Sequence, residues 1–334
     1  LESIDPHTAI VYLVPLPDRT EVLLNLGSRI ELITQPVPAD SLASQIRDFR
    51  RNLENRTSHA YLVQARQLYD WLIRPLLPLL QAHAIDTLVM VPDGPLRTIP
   101  LAALHDGERF LIHEFAVAVA PGLSLIEPQP IERERARLLL SGLTEAVQGF
   151  PPLYFVADEL DAIGSLYRGE TLANEQFTSG RIRQQMTSQQ FSIVHIASHG
   201  KFDRDVRNTF LLTYDGKLTL NDLESLIRPN QYRGRPVELL VLSACQTAAG
   251  DDRAALGLAG IAVKAGARSA LATLWFVNDQ STSALVSQLY GQFLLAPAPS
   301  KAKALQAAQL SLLEDRRFRH PCYWSPYLIL GNWL

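Results

Sequence analysis

The chain has 334 residues, of which 47% are apolar, 19% charged and 8% aromatic, and its formal net charge is −3. That balance excludes a disordered or fibrous protein, and the lack of a basic stripe argues against direct nucleic-acid binding. The two cysteines, Cys245 and Cys322, are too few for a disulfide scaffold and fit a reducing cytosol.

The length predicts about two domains or one large α/β unit. No apolar run reaches the ~18 residues of a membrane helix. The most apolar stretch, residues 111–126, is broken by His113, Glu114, Pro121 and Gly122. No signal peptide is recognisable, and a cytoplasmic setting is expected. Because the chain starts at Leu1 and not at Met, it reads as a piece of a longer protein.

In chain order, short β-type runs at 9–14, 21–26 and 30–33, punctuated by Pro15, Pro17, Gly27 and Pro36, predict an antiparallel meander. Residues 41–52 read as a polar helix. Residues 59–83 carry Leu62, Ala65, Leu68, Tyr69, Leu72, Leu76 and Leu80 at helical spacing, with Pro75 and Pro78 expected to split the helix. From residue 85 the pattern changes to short continuous apolar runs at 88–91, 115–119, 137–140, 191–197, 237–242, 269–275 and 327–330. Helical segments alternate with them at 158–167, 179–186, 220–227, 254–265, 279–295 and 302–314. This alternation predicts an α/β fold with a mostly parallel sheet covered by helices on both faces. Residues 209–220, centred on Tyr214-Asp215-Gly216-Lys217, read as a β-hairpin. The charged stretch 128–137 is the best boundary between two halves. Residues 85–94 and 191–200 share a faint likeness of layout, an apolar strand ending in a polar turn with glycine.

Two strands end in reactive residues: one runs through His195 to Ser198-His199-Gly200, the other to Ser243-Ala244-Cys245-Gln246. Ligands of open α/β sheets sit at the carboxyl ends of strands. The 45 residues between His199 and Cys245 are ample for a crossover, so the two side chains are able to meet. Thiolate and imidazole form a nucleophile and acid/base set for acyl transfer. The N–H groups of Gly200 and Cys245 are candidates for stabilising an oxyanion. From position alone, a cysteine ending an apolar strand is more often a small core hydrophobe, and a histidine just after a strand is more often a capping or turn residue. His195, inside the apolar run, reads as a buried, hydrogen-bonded histidine, and Cys322 as a packing residue. A nucleotide-binding reading fails for want of a phosphate-binding glycine loop.

The stretches His195-Ile196-Ala197-Ser198-His199-Gly200 and Leu242-Ser243-Ala244-Cys245-Gln246-Thr247 resemble the CHAT family of caspase-like peptidases. So do Leu256-Gly257-Leu258-Ala259-Gly260, Ala265-Gly266-Ala267-Arg268-Ser269, Leu274-Trp275-Phe276-Val277-Asn278-Asp279, and the ending from His320-Pro321 to Trp324 with Gly331-Asn332. The segment from Val91 to Leu104 resembles the family's N-terminal half, so the likeness covers most of residues 60–334. The family's name includes HetF, a cell-differentiation protein, and the resemblance admits a correspondence to its peptidase part. The resemblance implies a caspase-like fold and a His199–Cys245 dyad. It also implies a protein substrate and upstream sensor modules such as tetratricopeptide repeats. Similarity to separases further implies a degenerate, inactive half at 1–135 and an active half at 136–334. Departures from the family pattern are Ala254-Ala255, where an acidic residue is frequent, and Phe276 and Asn278 in the segment after Trp275.

By the same resemblance, Asp279 is placed at the base of a P1 pocket that favours Arg or Lys, with Trp275 as a wall and Ser243 as a further substrate-binding residue. Asp279 is equally readable as the N-cap of the helix it begins, and Trp275 as core. Asp251 and Asp252 read as solvated loop charges. The expected function is a cysteine endopeptidase that needs no metal or organic cofactor. The alternative is a catalytically silent caspase-like interaction module.

Overall fold

The computed structural model describes residues 5–27, 29–120, 128–131, 136–202, 206–232, 236–243, 246–247, 266–293 and 299–334. The opening runs form β1 (Thr8–Pro15), β2 (Thr20–Asn25) and β3 (Ile30–Gln35), paired antiparallel as a meander. Helix α1 (Ala39–Glu54) buries the stripe Leu42, Ile46, Phe49 and Leu53. The prolines split the next helical stretch. Pro75 lies in a short 3-10 turn between α2 (Tyr61–Leu72) and α3 (Leu77–Ala82). Pro78 occupies the first turn of α3, where a missing N–H breaks no helical bond.

The apolar runs that follow become β4 (Thr87–Pro92), β5 (Ala116–Val119) and β6 (Leu138–Gly142). Next come α4 (Val156–Gly164), β7 (Gly169–Ala173), α5 (Ser179–Ser188), β8 (Ile193–Ala197) and β9 (Gly200–Phe202). The expected hairpin is β10 (Phe210–Leu212) and β11 (Lys217–Thr219), followed by α6 (Leu220–Tyr232), β12 (Leu239–Ser243) and β13 (Gln246–Thr247). The chain closes with β14 (Ser269–Thr273), α7 (Asp279–Phe293), α8 (Lys301–Glu314), α9 (Pro321–Trp324) and β15 (Tyr327–Gly331). The helix expected at 254–265 and the loop charges Asp251 and Asp252 lie outside the described residues.

Eleven strands form one sheet in the order β3-β2-β1-β4-β5-β15-β14-β12-β8-β6-β7. It is mostly parallel, as the strand–helix alternation predicts. Three neighbouring pairs, β1–β2, β2–β3 and β14–β15, are antiparallel. The last of these has a consequence the sequence did not signal. β15 runs parallel to β5 and antiparallel to β14. The block β1-β4-β5-β15 therefore points its carboxyl ends to one rim of the sheet, and the block β14-β12-β8-β6-β7 points its own to the opposite rim. A single apolar cluster, from Ala9 to Trp333, packs against both blocks. A small second sheet, β11-β10-β9-β13, stands at the rim where β8 and β12 end.

Candidate active site

Strand β8 is an apolar run except for His195, and it leaves the large sheet at Ser198. Ser198 is buried and ties the turn on both sides. Its N–H donates to the Ser243 carbonyl at 3.2 Å, and its hydroxyl donates to the Leu212 carbonyl at 2.6 Å. The next residue, His199, is only partly buried. Its Nε2 lies 2.8 Å from the Pro151 carbonyl oxygen, and its ring packs on Phe150 with centroids 5.1 Å apart. A carbonyl only accepts, so Nε2 carries the hydrogen and Nδ1 is left as the basic nitrogen.

The acceptor comes from the 143–155 loop between β6 and α4. Within it, Phe150 N–H donates to the Val147 carbonyl at 2.9 Å across a turn with Gln148 and Gly149 at positive φ, 52° and 82°. The Gln148 side-chain amide then donates to the Thr213 and Tyr214 carbonyls, tying the loop to the β10–β11 hairpin.

Gly200 opens β9 and sits opposite Leu211 of β10. Leu212 N–H donates to the His199 carbonyl at 2.8 Å, which makes 199/212 the hydrogen-bonded position of this antiparallel ladder. At the next position the alternation turns the Gly200 N–H to the other edge of β9, where β13 lies. Cys245 itself lies outside the described residues. The described residues on either side of 244–245 are in register with the His199 turn: Ser243 pairs with Ala197, and Gln246 pairs with Lys201.

Asp279 begins α7. The helix is capped by the residue before it: the Asn278 side chain accepts the Ser281 N–H at 3.2 Å. The alternative reading of Asp279 as the N-cap is thereby corrected. Its carboxylate turns to the start of α4, where Oδ2 accepts the Phe155 N–H at 2.9 Å, while Oδ1 is buried with no partner among the described residues. Burial pushes the Asp279 carboxyl above its ordinary range. The Phe155 N–H and the nearby His199 oppose that rise, and the negative charge of Glu159 adds to it. Imidazole and carboxylate thus sit close enough to feel each other's charge.

The other expected substrate-binding side chains turn inward. Trp275 is 6% exposed, and its indole N–H donates to the Cys322 carbonyl at 3.2 Å. Ser243 is buried and contributes its carbonyl to the Ser198 turn; its hydroxyl has no partner among the described residues. Arg50 of α1 reaches the same strand end. It lies over the Trp275 ring and donates to the Leu274 carbonyl at 3.2 Å. Cys322 is buried, and burial pushes its thiol up to about 12, against the pull of Arg56. It is therefore a packing residue, as the sequence suggests.

His195 is fully buried, as expected, but its partner was not foreseen. Its Nε2 lies 2.8 Å from Glu159 Oε1, and Glu159 is also fully buried. The two are not aligned for a hydrogen bond, so the pair is in close contact without a directed one. The Tyr290 hydroxyl sits 3.4 Å from the other ring nitrogen, Nδ1. One sequence signal did exist. Glu159 falls on the same face as Val156, Leu160 and Ile163, the apolar stripe of α4. The Phe150–Pro151 support had no such signal, because a main-chain acceptor is not encoded by side-chain type. Among the described residues no cluster of histidine, cysteine and carboxylate side chains could hold a metal, and no helix is long and apolar enough to cross a membrane.

Two solved structures of the separase–securin complex of Saccharomyces cerevisiae are similar to this chain. They align over 98% of it with TM-scores of 0.63 and 0.57 at 9% and 10% identity, and the chain spans 30% of the separase chain. The Arg-specific cysteine proteinase gingipain R aligns over 98% of this chain and 78% of its own, with a TM-score of 0.54 at 9% identity. At such identities the likeness is one of fold, the caspase-like α/β fold. No curated protein sequence matches. The family model for the CHAT domain matches residues 62–332, and the chain belongs to the CHAT domain family.

Proposed function

We propose that the chain is a cysteine endopeptidase that uses a His199–Cys245 dyad and cleaves a protein substrate after a basic residue. The observation that carries this reading is the register Ser243–Ala197 and Gln246–Lys201, which brings the described neighbours of residues 244–245 beside the two sides of the His199 turn. Nδ1 of His199 takes the thiol proton, and the Cys245 sulfur attacks the scissile carbonyl carbon. The oxyanion that forms is met by the N–H groups of Gly200 and Cys245. As the tetrahedral adduct collapses, the C–N bond breaks and His199 returns its proton to the leaving amine. A water deprotonated by His199 then attacks the thioester, releasing the carboxylic acid and restoring the thiol.

Asp279 gives the reading its specificity. A half-buried carboxylate with one oxygen unpartnered among the described residues is a costly arrangement that an arriving guanidinium or ammonium relieves, whereas an acidic P1 side chain would add a like charge. Trp275 and Ser243 support the pocket from behind, by fixing the strand ends that frame it. Residues 1–135 serve as an inactive half that braces the active one, with Arg50 reaching the strand end at Leu274. The test is hydrolysis of a reporter peptide with P1 arginine by the parent chain, by Cys245→Ala and by a P1-aspartate control. Cleavage by the parent that the variant loses and the aspartate peptide escapes is expected. A parent that binds proteins but leaves every peptide intact overturns the reading in favour of a silent interaction module.

A further inference from the structure

The contact of Glu159 with His195 joins two fully buried polar side chains that the proposed mechanism leaves unused. Both side chains are fully buried, and both Glu159 oxygens lack an aligned hydrogen bond. Such a pair is weak evidence for stability, because well-packed apolar residues in its place are often neutral or stabilising. An apolar residue at 159 would simply complete the stripe of Val156, Leu160 and Ile163. Its placement suggests another use. Gly142 at the end of β6 lets α4 lie close on the sheet: a Cβ there would come within 2.8 Å of Val156. That approach brings Glu159 onto His195 of β8, and Tyr290 of α7 reaches the same imidazole from the other side. Tyr290 is in turn tied back through its carbonyl, which accepts the Tyr167 hydroxyl at 3.0 Å.

Each of the three elements joined at His195 delivers one part of the site. β8 leads into His199, α7 begins with Asp279, and α4 begins beside Phe155, whose N–H holds Asp279. Here, resting on the reading of Asp279 as the P1 carboxylate, we propose that Glu159, His195 and Tyr290 are positioning residues. They fix the P1 carboxylate at its working distance from the imidazole, and Glu159 determines the preference for a cationic P1 side chain. Geometry carries this: one buried imidazole touches the two helices whose first turns build the pocket. The negative charge of Glu159, which Asp279 senses, points the same way, since a cation beside Asp279 is drawn by both carboxylates.

The test compares matched peptides with arginine or citrulline at P1, citrulline being nearly isosteric with arginine but uncharged. The proteins are the parent, Glu159→Gln and Tyr290→Phe, and the rate of Cys245 alkylation by iodoacetamide, which needs no P1 pocket, is read in each. The expected result for Glu159→Gln is a fall of roughly tenfold in the arginine-over-citrulline ratio of kcat/KM, through a higher KM for arginine, with citrulline turnover and alkylation within about twofold of the parent. Tyr290→Phe shows the same pattern, smaller. An unchanged ratio, or a parallel fall in all three readouts, overturns the proposal; the latter marks a merely structural role. Should Glu159→Gln not fold, Tyr290→Phe decides by the same criterion. A parent chain without preference for arginine overturns the underlying pocket reading instead, so the two failures are told apart.

Discussion

The ends of β4 and β8 began as look-alikes, each an apolar strand running into a polar turn with glycine, and the fold treats them in opposite ways. After β4 the side chains of Asp93, Arg97 and Thr98 find partners within the turn itself, although the Thr98 carbonyl also accepts from Arg50 of α1. The Asp93 carboxylate accepts the Gly94 N–H at 2.8 Å and meets Arg97 at 2.9 Å. Arg97 also donates to the Pro92 carbonyl, and the Thr98 hydroxyl to that of Pro95. After β8 the groups depend on distant partners or, among the described residues, on none. His199 leans on a carbonyl 48 residues earlier in the chain, and Asp279, brought up beside it, keeps a buried oxygen with no partner among the described residues. The antiparallel β14–β15 pair puts the two ends on opposite rims. Side chains that are matched within their own turn leave little for a ligand, and the proposed site falls at the other end, where the polar side chains rely on remote parts of the chain.

The sharpest way to break this contrast is to remove one group from each end. His199→Ala should lower peptide cleavage by a factor on the order of 10³ or more. Asp93→Ala should leave cleavage within about twofold, because its loss exposes only solvent-facing groups. Equal losses from the two variants would erase the distinction between the rims.

Asp279→Asn comes next. It should reduce kcat/KM for P1-arginine peptides by roughly 10- to 100-fold while leaving citrulline peptides nearly unaffected. The sign of its stability effect follows from the raised pKa of Asp279. A carboxyl raised on folding favours the native state below its unfolded pKa and loses that contribution as pH rises through the folded value. At neutral pH the charged form is therefore a burden, and thermal unfolding should find Asp279→Asn at least as stable as the parent. For the same reason the arginine preference of the parent should fade on acidification while ordinary surface carboxylates are still ionised. A Tm drop in the asparagine variant would mean that the charge is compensated by a partner.

A smaller effect is expected from Phe150→Ala. The ring supports His199 but makes no polar bond to it, so kcat should fall by roughly three- to tenfold with KM little changed. An unchanged kcat would show that the Pro151 carbonyl orients the imidazole unaided.

How much of this was legible beforehand follows from where the information resides. The buried strands announce themselves as continuous apolar runs, and the β10–β11 hairpin through Asp215-Gly216, because burial and turn chemistry both act on side-chain type. β7 was missed because Gly169-Glu170-Thr171-Leu172-Ala173 is an edge strand with little to bury. β9 and β13 are two or three residues long, and their pairing is a matter of main-chain register. Within the site, His199 and Asp279 were visible as polar residues at strand and helix ends. The Pro151 carbonyl was invisible, and so was the swap by which Asn278 caps α7 and frees the Asp279 carboxylate to reach Phe155. Glu159 could have been found as an acid on an apolar stripe, a conflict between local pattern and residue type that marks either an error or a function.

The central claim is that a reactive thiol sits beside His199 within reach of the Asp279 pocket, and an arginyl acyloxymethyl ketone tests it most directly. Incubated with the native chain at neutral pH and followed by peptide mass mapping, the reagent should modify Cys245 stoichiometrically and leave buried Cys322 untouched, with His199→Ala and Asp279→Asn each slowing the reaction. Modification of Cys322 instead, or equal labelling of Cys245 in all three proteins, would contradict the account.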